Sequence, residues 1–173
     1  MILYVMRHAE AVEANETLQD GWCYLTEKGR TAAEKVCAAV AKTGPKPRLT
    51  ITSPLTRAVQ TAEIAARKAC RKNIVVSSGL LLPGAEIPEL VTHLKNCKDA
   101  KRVMLVGHEP QLGSLIAALL GHENGTILLK KGACVALKLD LSTDTKPASF
   151  IGYLVPGKGR TTSFKKAFPQ QVA

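Results

Sequence analysis

Four side chains in this sequence have the types and the setting for chemistry on an anion: Arg7, His8, Arg57 and His108. Each comes shortly after an apolar run. Ile2-Leu3-Tyr4-Val5 leads into Met6-Arg7-His8. Leu49-Thr50-Ile51-Thr52 leads into Ser53-Pro54-Leu55-Thr56-Arg57, and Val103-Met104-Leu105-Val106 into Gly107-His108-Glu109-Pro110. If the runs are neighbouring strands, their ends deliver two arginines and two histidines to one pocket, at the sheet edge where open α/β proteins bind ligands. A phosphoryl group suits that pocket, because the planar fork of arginine matches its oxygens bidentately. Arg57 stands near a helix start, where backbone N–H groups and the helix dipole add to the field. A neutral imidazole nitrogen can attack phosphorus in line and form a phosphohistidine that water then hydrolyses. A second histidine, protonated, would stabilise charge on the equatorial oxygens. The residues alone leave open which histidine attacks.

The elements that must position these groups alternate along the chain. Residues 2–6 read as a buried strand and 9–25 as a loop. Thr26-Glu27-Lys28-Gly29 opens a helix with Thr26 as N-cap and an apolar stripe of Ala32, Ala33, Val36, Ala39 and Val40. Gly44-Pro45-Lys46-Pro47 stops it. A strand at 48–52 and a helix from Pro54 to Ala69 follow, with Pro54 in the first turn. Ile74-Val75-Val76 reads as a short strand, Glu86 to Asn96 as a helix, 102–106 as a strand and Pro110 to Leu120 as a helix. Cys134–Leu139 and Phe150–Val155 are the last strands. This alternation predicts an α/β fold with a mostly parallel sheet covered on both faces. No helix separates the last two strands, so an antiparallel edge is expected. The expected organisation is one catalytic domain over 1–156 and a basic, irregular tail over 157–173.

Composition excludes other classes. With 46% apolar residues the chain is globular, and no apolar run approaches the ~20 residues of a membrane span. The N-terminal run is short and ends in Arg-His-Ala-Glu, unlike a signal peptide, so a cytoplasmic protein is expected. Five cysteines without a Cys-x-x-Cys pair argue against a disulfide framework or zinc ribbon, and Cys37, Cys70 and Cys134 are expected in the core. The net charge of +10 draws anions. No basic run is interleaved with aromatics, which argues against nucleic acid as the main partner.

The motifs Arg7-His8-Ala9, Ser53-Pro54-Leu55-Thr56-Arg57-Ala58-Val59-Gln60-Thr61-Ala62 and Gly107-His108-Glu109-Pro110, with Leu25-Thr26-Glu27-Lys28-Gly29 between the first two, resemble the histidine phosphatase superfamily in order and spacing. The resemblance runs from Met1 to about Leu154. It implies that His8 is the nucleophile and that Arg7, Arg57 and His108 complete the phosphate pocket. It also implies no metal, no organic cofactor and a phosphoglycerate-mutase-like three-layer α/β/α sandwich. The short chain and Arg-His-Ala in place of Arg-His-Gly look like the SixA-type branch, whose substrate is phosphohistidine on a protein such as a phosphotransfer domain.

Two further carboxylates are candidates. Branches acting on phosphate esters usually carry an acidic general acid, and Glu86 after Pro83-Gly84 is the best-placed residue for it. Glu10, just after the nucleophile, would line the pocket mouth or orient His8. A working Glu86 would favour a small-molecule or phosphoserine/phosphothreonine ester as substrate. A non-catalytic module binding phosphorylated or polyanionic partners is the remaining alternative. Gly152-x-x-x-x-Gly157-Lys158 approaches a phosphate-binding loop, but Gly159 stands where Ser or Thr is needed. His93 and His122 have no partner at metal-ligand spacing. A monomer is expected, with specificity in loops 9–25 and 121–132 and Trp22 near the pocket mouth.

Overall fold

The computed structural model describes residues 1–72, 74–97, 100–122, 127–140 and 147–169. Positions 123–126 of the loop 121–132 expected to carry specificity, and positions 141–146, lie outside them. The strands are β1 (Ile2–Arg7), β2 (Leu49–Thr52), β3 (Val75–Ser77), β4 (Arg102–Gly107), β5 (Cys134–Leu139), β6 (Ala148–Leu154) and β7 (Arg160–Thr161). The helices are α1 (Glu27–Thr43), α2 (Thr56–Ala69), α3 (Ile87–Asn96), α4 (Gln111–Leu120) and the short α5 (Phe164–Ala167). One sheet joins the strands in the order β3-β2-β4-β1-β5-β6-β7. The ladders β3–β2, β2–β4 and β4–β1 are parallel, whereas β1–β5, β5–β6 and β6–β7 are antiparallel. Thus β1 to β4 and β6 point one way, and β5 and β7 the other. The sheet is mostly parallel in direction, but its antiparallel part is half the ladders rather than an edge.

Alternation along the strands builds two apolar layers. Leu3 and Val5 of β1 and Val103 and Leu105 of β4 pack with Leu90 and Leu94 of α3 and Leu112, Leu115 and Ile116 of α4. Tyr4, Met6, Met104 and Val106 point to the other face, against Val36, Cys37 and Val40 of α1 and Ala58, Ala62 and Ala65 of α2. The α2 face is nearly all alanine, so that helix lies close to the sheet and brings its N-terminal turn to the strand ends. Thr26 caps α1 as expected, its hydroxyl accepting from the Gly29 amide at 3.0 Å. A Cβ at Gly29 would run into the Glu10 carbonyl, so this glycine lets α1 dock on the chain leaving β1. Cys37 and Cys134 are buried; Cys70 is only half-buried, its Sγ 3.2 Å from the Thr50 hydroxyl.

The tail departs from expectation. Residues 157–169 are not irregular: β7 pairs with β6, and α5 follows with Ser163 as its N-cap. Its rings explain why. Phe164 meets Phe150 at 5.5 Å between centroids, and Phe168 meets Tyr153 at 4.9 Å. Phe168 is buried, and Arg160 ties β7 to the end of α1 through the Thr43 carbonyl at 2.9 Å. Aromatic residues spaced among lysines hid this packing in a stretch read as basic and polar.

Candidate active site

The pocket forms where the parallel ladders run out. Arg7 pairs with Gly107, and the His8 amide continues the ladder by donating to the Gly107 carbonyl at 3.0 Å. His8 and His108, each one residue past its strand, therefore emerge side by side, their rings 5.0 Å apart at 53°. The Ser53 amide extends the β2–β4 ladder in the same way, donating to the Val106 carbonyl at 3.0 Å. Its hydroxyl lies 2.8 Å from His108 Nε2.

The protonation of His8 follows from its partner. Nδ1 stands 2.8 Å from the Ala9 carbonyl, which can only accept, so Nδ1 carries the proton. In the neutral ring Nε2 then keeps its lone pair. Burial, with the Arg57 and Arg7 charges nearby, pushes the His8 pKa down to about 4. His108 is pushed to about 4 as well, first by burial and then by the charges of His8 and Arg57. In the free pocket both imidazoles are neutral at pH 7, including the histidine expected to be protonated.

The arginines flank this pair. Arg57, in the first turn of α2, is held by Asp20: Nη1 donates to the Asp20 carbonyl at 2.6 Å and Nη2 to Oδ2 at 2.9 Å. Arg7 donates from Nη1 to the Leu129 carbonyl at 2.8 Å, and its buried Nε has no partner. A buried, unpaired cationic donor is a costly arrangement that an incoming anion relieves. Thr61 ties α2 to the loop after His8, accepting from the Ala9 amide at 3.1 Å and donating to the Arg57 carbonyl at 2.7 Å. Outside this ring opens a cavity of about 260 Å³ lined by His8, Ala11, Val12, Glu13, Ala14, Asp20, Arg57 and Lys131.

Neither additional carboxylate enters it. Glu10 turns to the start of α1, where Oε1 accepts from the Thr26 hydroxyl at 3.2 Å and Oε2 pairs with Lys28 at 3.0 Å. These partners hold its pKa below the usual range, and the helix N-terminus adds to the pull. Glu86 is the exposed N-cap residue of α3 and does not line the cavity. Its neighbour is fixed instead: Gln111 Nε2 donates to the Ala85 and Leu80 carbonyls at 2.9 and 3.0 Å, which tethers this loop to α4. The carboxylates that line the mouth are Glu13 and Asp20, which sequence reasoning missed, and Asp20 is the one bound to Arg57. It sits in a one-turn 3-10 segment, Asp20–Trp22, in a loop without periodicity. Ser53 and Thr61 had a faint signal: one directly follows a strand, the other lies one helical turn beyond Arg57. Among the described residues no group of three or more His, Cys, Asp or Glu is placed to hold a metal ion.

The chain is similar to known proteins. The sequence model of the histidine phosphatase superfamily (branch 1) matches residues 3–80, which include Arg7, His8 and Arg57. An uncharacterised protein of Picosynechococcus sp. is 33% identical over 141 residues, 80% of this chain and 85% of the relative. Among solved structures, the protein histidine phosphatase SixA complexed with tungstate superposes with a TM-score of 0.78 at 22% identity, over 90% of this chain and 97% of that one. The α-ribazole phosphatase of Shigella flexneri gives 0.67 at 15% identity, over 91% and 96%. These two likenesses establish a shared fold, the three-layer phosphoglycerate-mutase-like sandwich. The match of the family model through β1 and α2, on that fold, places this chain in branch 1 of the histidine phosphatase superfamily.

Proposed function

We propose that the protein is a metal-independent phosphatase that removes the phosphoryl group from phosphohistidine on a protein, through a covalent intermediate on His8. The observation that carries this reading is the Nδ1–H of His8 held on the Ala9 carbonyl, which leaves Nε2 as the nucleophile inside a ring of cationic donors. The incoming phosphoryl group binds Arg7 and Arg57, and its charge raises the proton affinity of His108, which then supports the equatorial oxygens. Nε2 forms a bond to phosphorus as the bond to the leaving group breaks. Water next attacks phosphorus, the P–Nε2 bond breaks, and its electron pair returns to His8. The nucleophile and the charge-neutralising groups are all supplied by the chain.

A protein substrate is favoured by the surroundings of the mouth. Trp22 is 71% exposed and Tyr24 49% exposed on the loop that carries Asp20, and large exposed rings beside a site are typical of a surface that meets another protein. Glu10 and Glu86, the carboxylates expected to serve an ester as general acid, both face away from the cavity. A phosphotransfer domain, cytoplasmic location and a monomeric enzyme complete the proposal.

The test compares kcat/KM on a phosphohistidine-bearing protein and on an aryl phosphate, both with EDTA. A large preference for the first is expected, and His8→Ala should abolish turnover and any acid-labile phosphoenzyme. Retained turnover in His8→Ala refutes the mechanism. A preference for the ester refutes the substrate class. Phosphate-dependent binding without turnover supports the non-catalytic module instead.

A further inference from the structure

We propose that Asp20 selects the leaving group: its carboxylate accepts a hydrogen bond from the protonated imidazole of a substrate phosphohistidine and disfavours groups that must depart as anions. This inference rests on the phosphohistidine reading and deepens it. In-line displacement puts the leaving group on the side of phosphorus opposite His8. His8 is only 8% exposed, so that side is the solvent end of the cavity. The charged wall residues there are Glu13, Asp20 and Lys131, beside Arg57, whose side chain is 11% exposed. Of the two carboxylates, Asp20 alone is fixed to the phosphate pocket, through both its carbonyl and Oδ2 on Arg57. Its side chain is 68% exposed, and Oδ1 has no hydrogen-bond partner among the described residues. One oxygen thus holds the arginine while the other is available at the place where the leaving group emerges.

The chemistry distinguishes leaving groups. A phosphohistidine protonated on its second ring nitrogen already carries the proton it needs. As His8 Nε2 bonds to phosphorus, the P–N bond breaks, its electron pair stays on nitrogen, and the ring departs as neutral imidazole. An acceptor facing the ring N–H orients the substrate and stabilises its protonated form. An alkoxide needs a proton delivered instead. Asp20 cannot deliver one while ionised, and the hydrogen bond from Arg57 holds its pKa below the usual carboxylate value. Its charge also repels developing negative charge on the leaving oxygen. Glu13 on the same rim acts in the same sense, and Lys131 in the opposite one.

The test measures kcat/KM for wild type, Asp20→Asn and Asp20→Glu on a phosphohistidine protein and on p-nitrophenyl phosphate. In Asp20→Asn the phosphohistidine-to-ester ratio should fall by about tenfold or more, the scale of one charge-assisted hydrogen bond. Asp20→Glu should recover much of it. An equal loss on both substrates overturns the proposal, because Asp20 then only positions Arg57; an unchanged ratio overturns it too. Failure of the underlying reading is distinct: it shows in the wild type, as turnover of the ester with none of phosphohistidine, and removes both.

Discussion

Lowering the pH from 7 to 5 should leave His8 and His108 uncharged. An ordinary histidine would take up a proton in that interval, whereas these two wait until about pH 4. At about 1.4 kcal/mol per tenfold change in proton affinity, each displacement from 6.5 corresponds to about 3 kcal/mol. Its effect on stability has a definite sign. Between pH 6.5 and 4 the unfolded chain binds these protons and the folded chain does not, so stability falls as the pH falls through that window. By pH 5 the loss is about 2 kcal/mol for each histidine. Glu109 works against it. Burial raises its pKa to about 7, Oε2 lies against Gly113, and neither carboxylate oxygen has a well-formed hydrogen bond. The folded chain protonates Glu109 near pH 7 and the unfolded chain at the ordinary value of 4.5. This adds about 2 kcal/mol on the way to pH 5 and offsets one histidine. The wild type should therefore lose about 2 kcal/mol between pH 7 and 5, and Glu109→Gln about 4 kcal/mol. Urea unfolding at the two pH values reads this difference. Long-range ¹H–¹⁵N NMR should find both rings neutral at pH 5, with the His8 proton on Nδ1. A His8 midpoint between pH 6 and 7, or its proton on Nε2, would refute both the electrostatics and the choice of nucleophilic nitrogen.

Thr61→Val keeps the side-chain shape but strips the acceptor of the buried Ala9 amide and the donor to the Arg57 carbonyl. It should lower stability by about 2 kcal/mol in urea unfolding and reduce kcat, because Ala9 orients His8. Wild-type stability and rate together would mean that the loop after His8 is held by something else. Phe168→Ala should lower stability by about 3 kcal/mol in the same assay, since its ring fills the space between Tyr153, Phe150 and Phe164. A loss of only a few tenths would show that the end of the chain is peripheral after all.

What the sequence made legible follows from how local each cause is. The capping of α1 by Thr26 and the three apolar runs ending in Arg7, Ser53 and His108 depend on near neighbours, and they appear where expected. The convergence of His8, His108 and Ser53 was legible for the same reason: parallel neighbours in register bring their C-terminal ends to one place, so strand-end residues meet without knowledge of any loop. The antiparallel part of the sheet and the docking of Phe164 and Phe168 depend on contacts remote in sequence: the first was read only as an edge, and the second was not read.

The carboxylates show where that reasoning stops. Glu10 and Glu86 were chosen because each lies near a strand end or a turn, but proximity along the chain does not say which way a side chain faces. Glu10 finds a lysine and a helix N-terminus within reach and turns away from His8. The loop holding Glu86 is anchored by Gln111 through backbone carbonyls, which leaves the side chain in solvent. Asp20, twelve residues beyond His8 in an aperiodic segment, is drawn to the mouth because the Arg57 guanidinium presents two donors there and a residue in a tight turn can meet both with its carbonyl and carboxylate. The carboxylate fixed to the pocket is the one whose backbone and charge together satisfy an arginine fork. A search for the carboxylate of such a site therefore does better to start from the donors of its arginines than from the spacing of acidic residues along the chain.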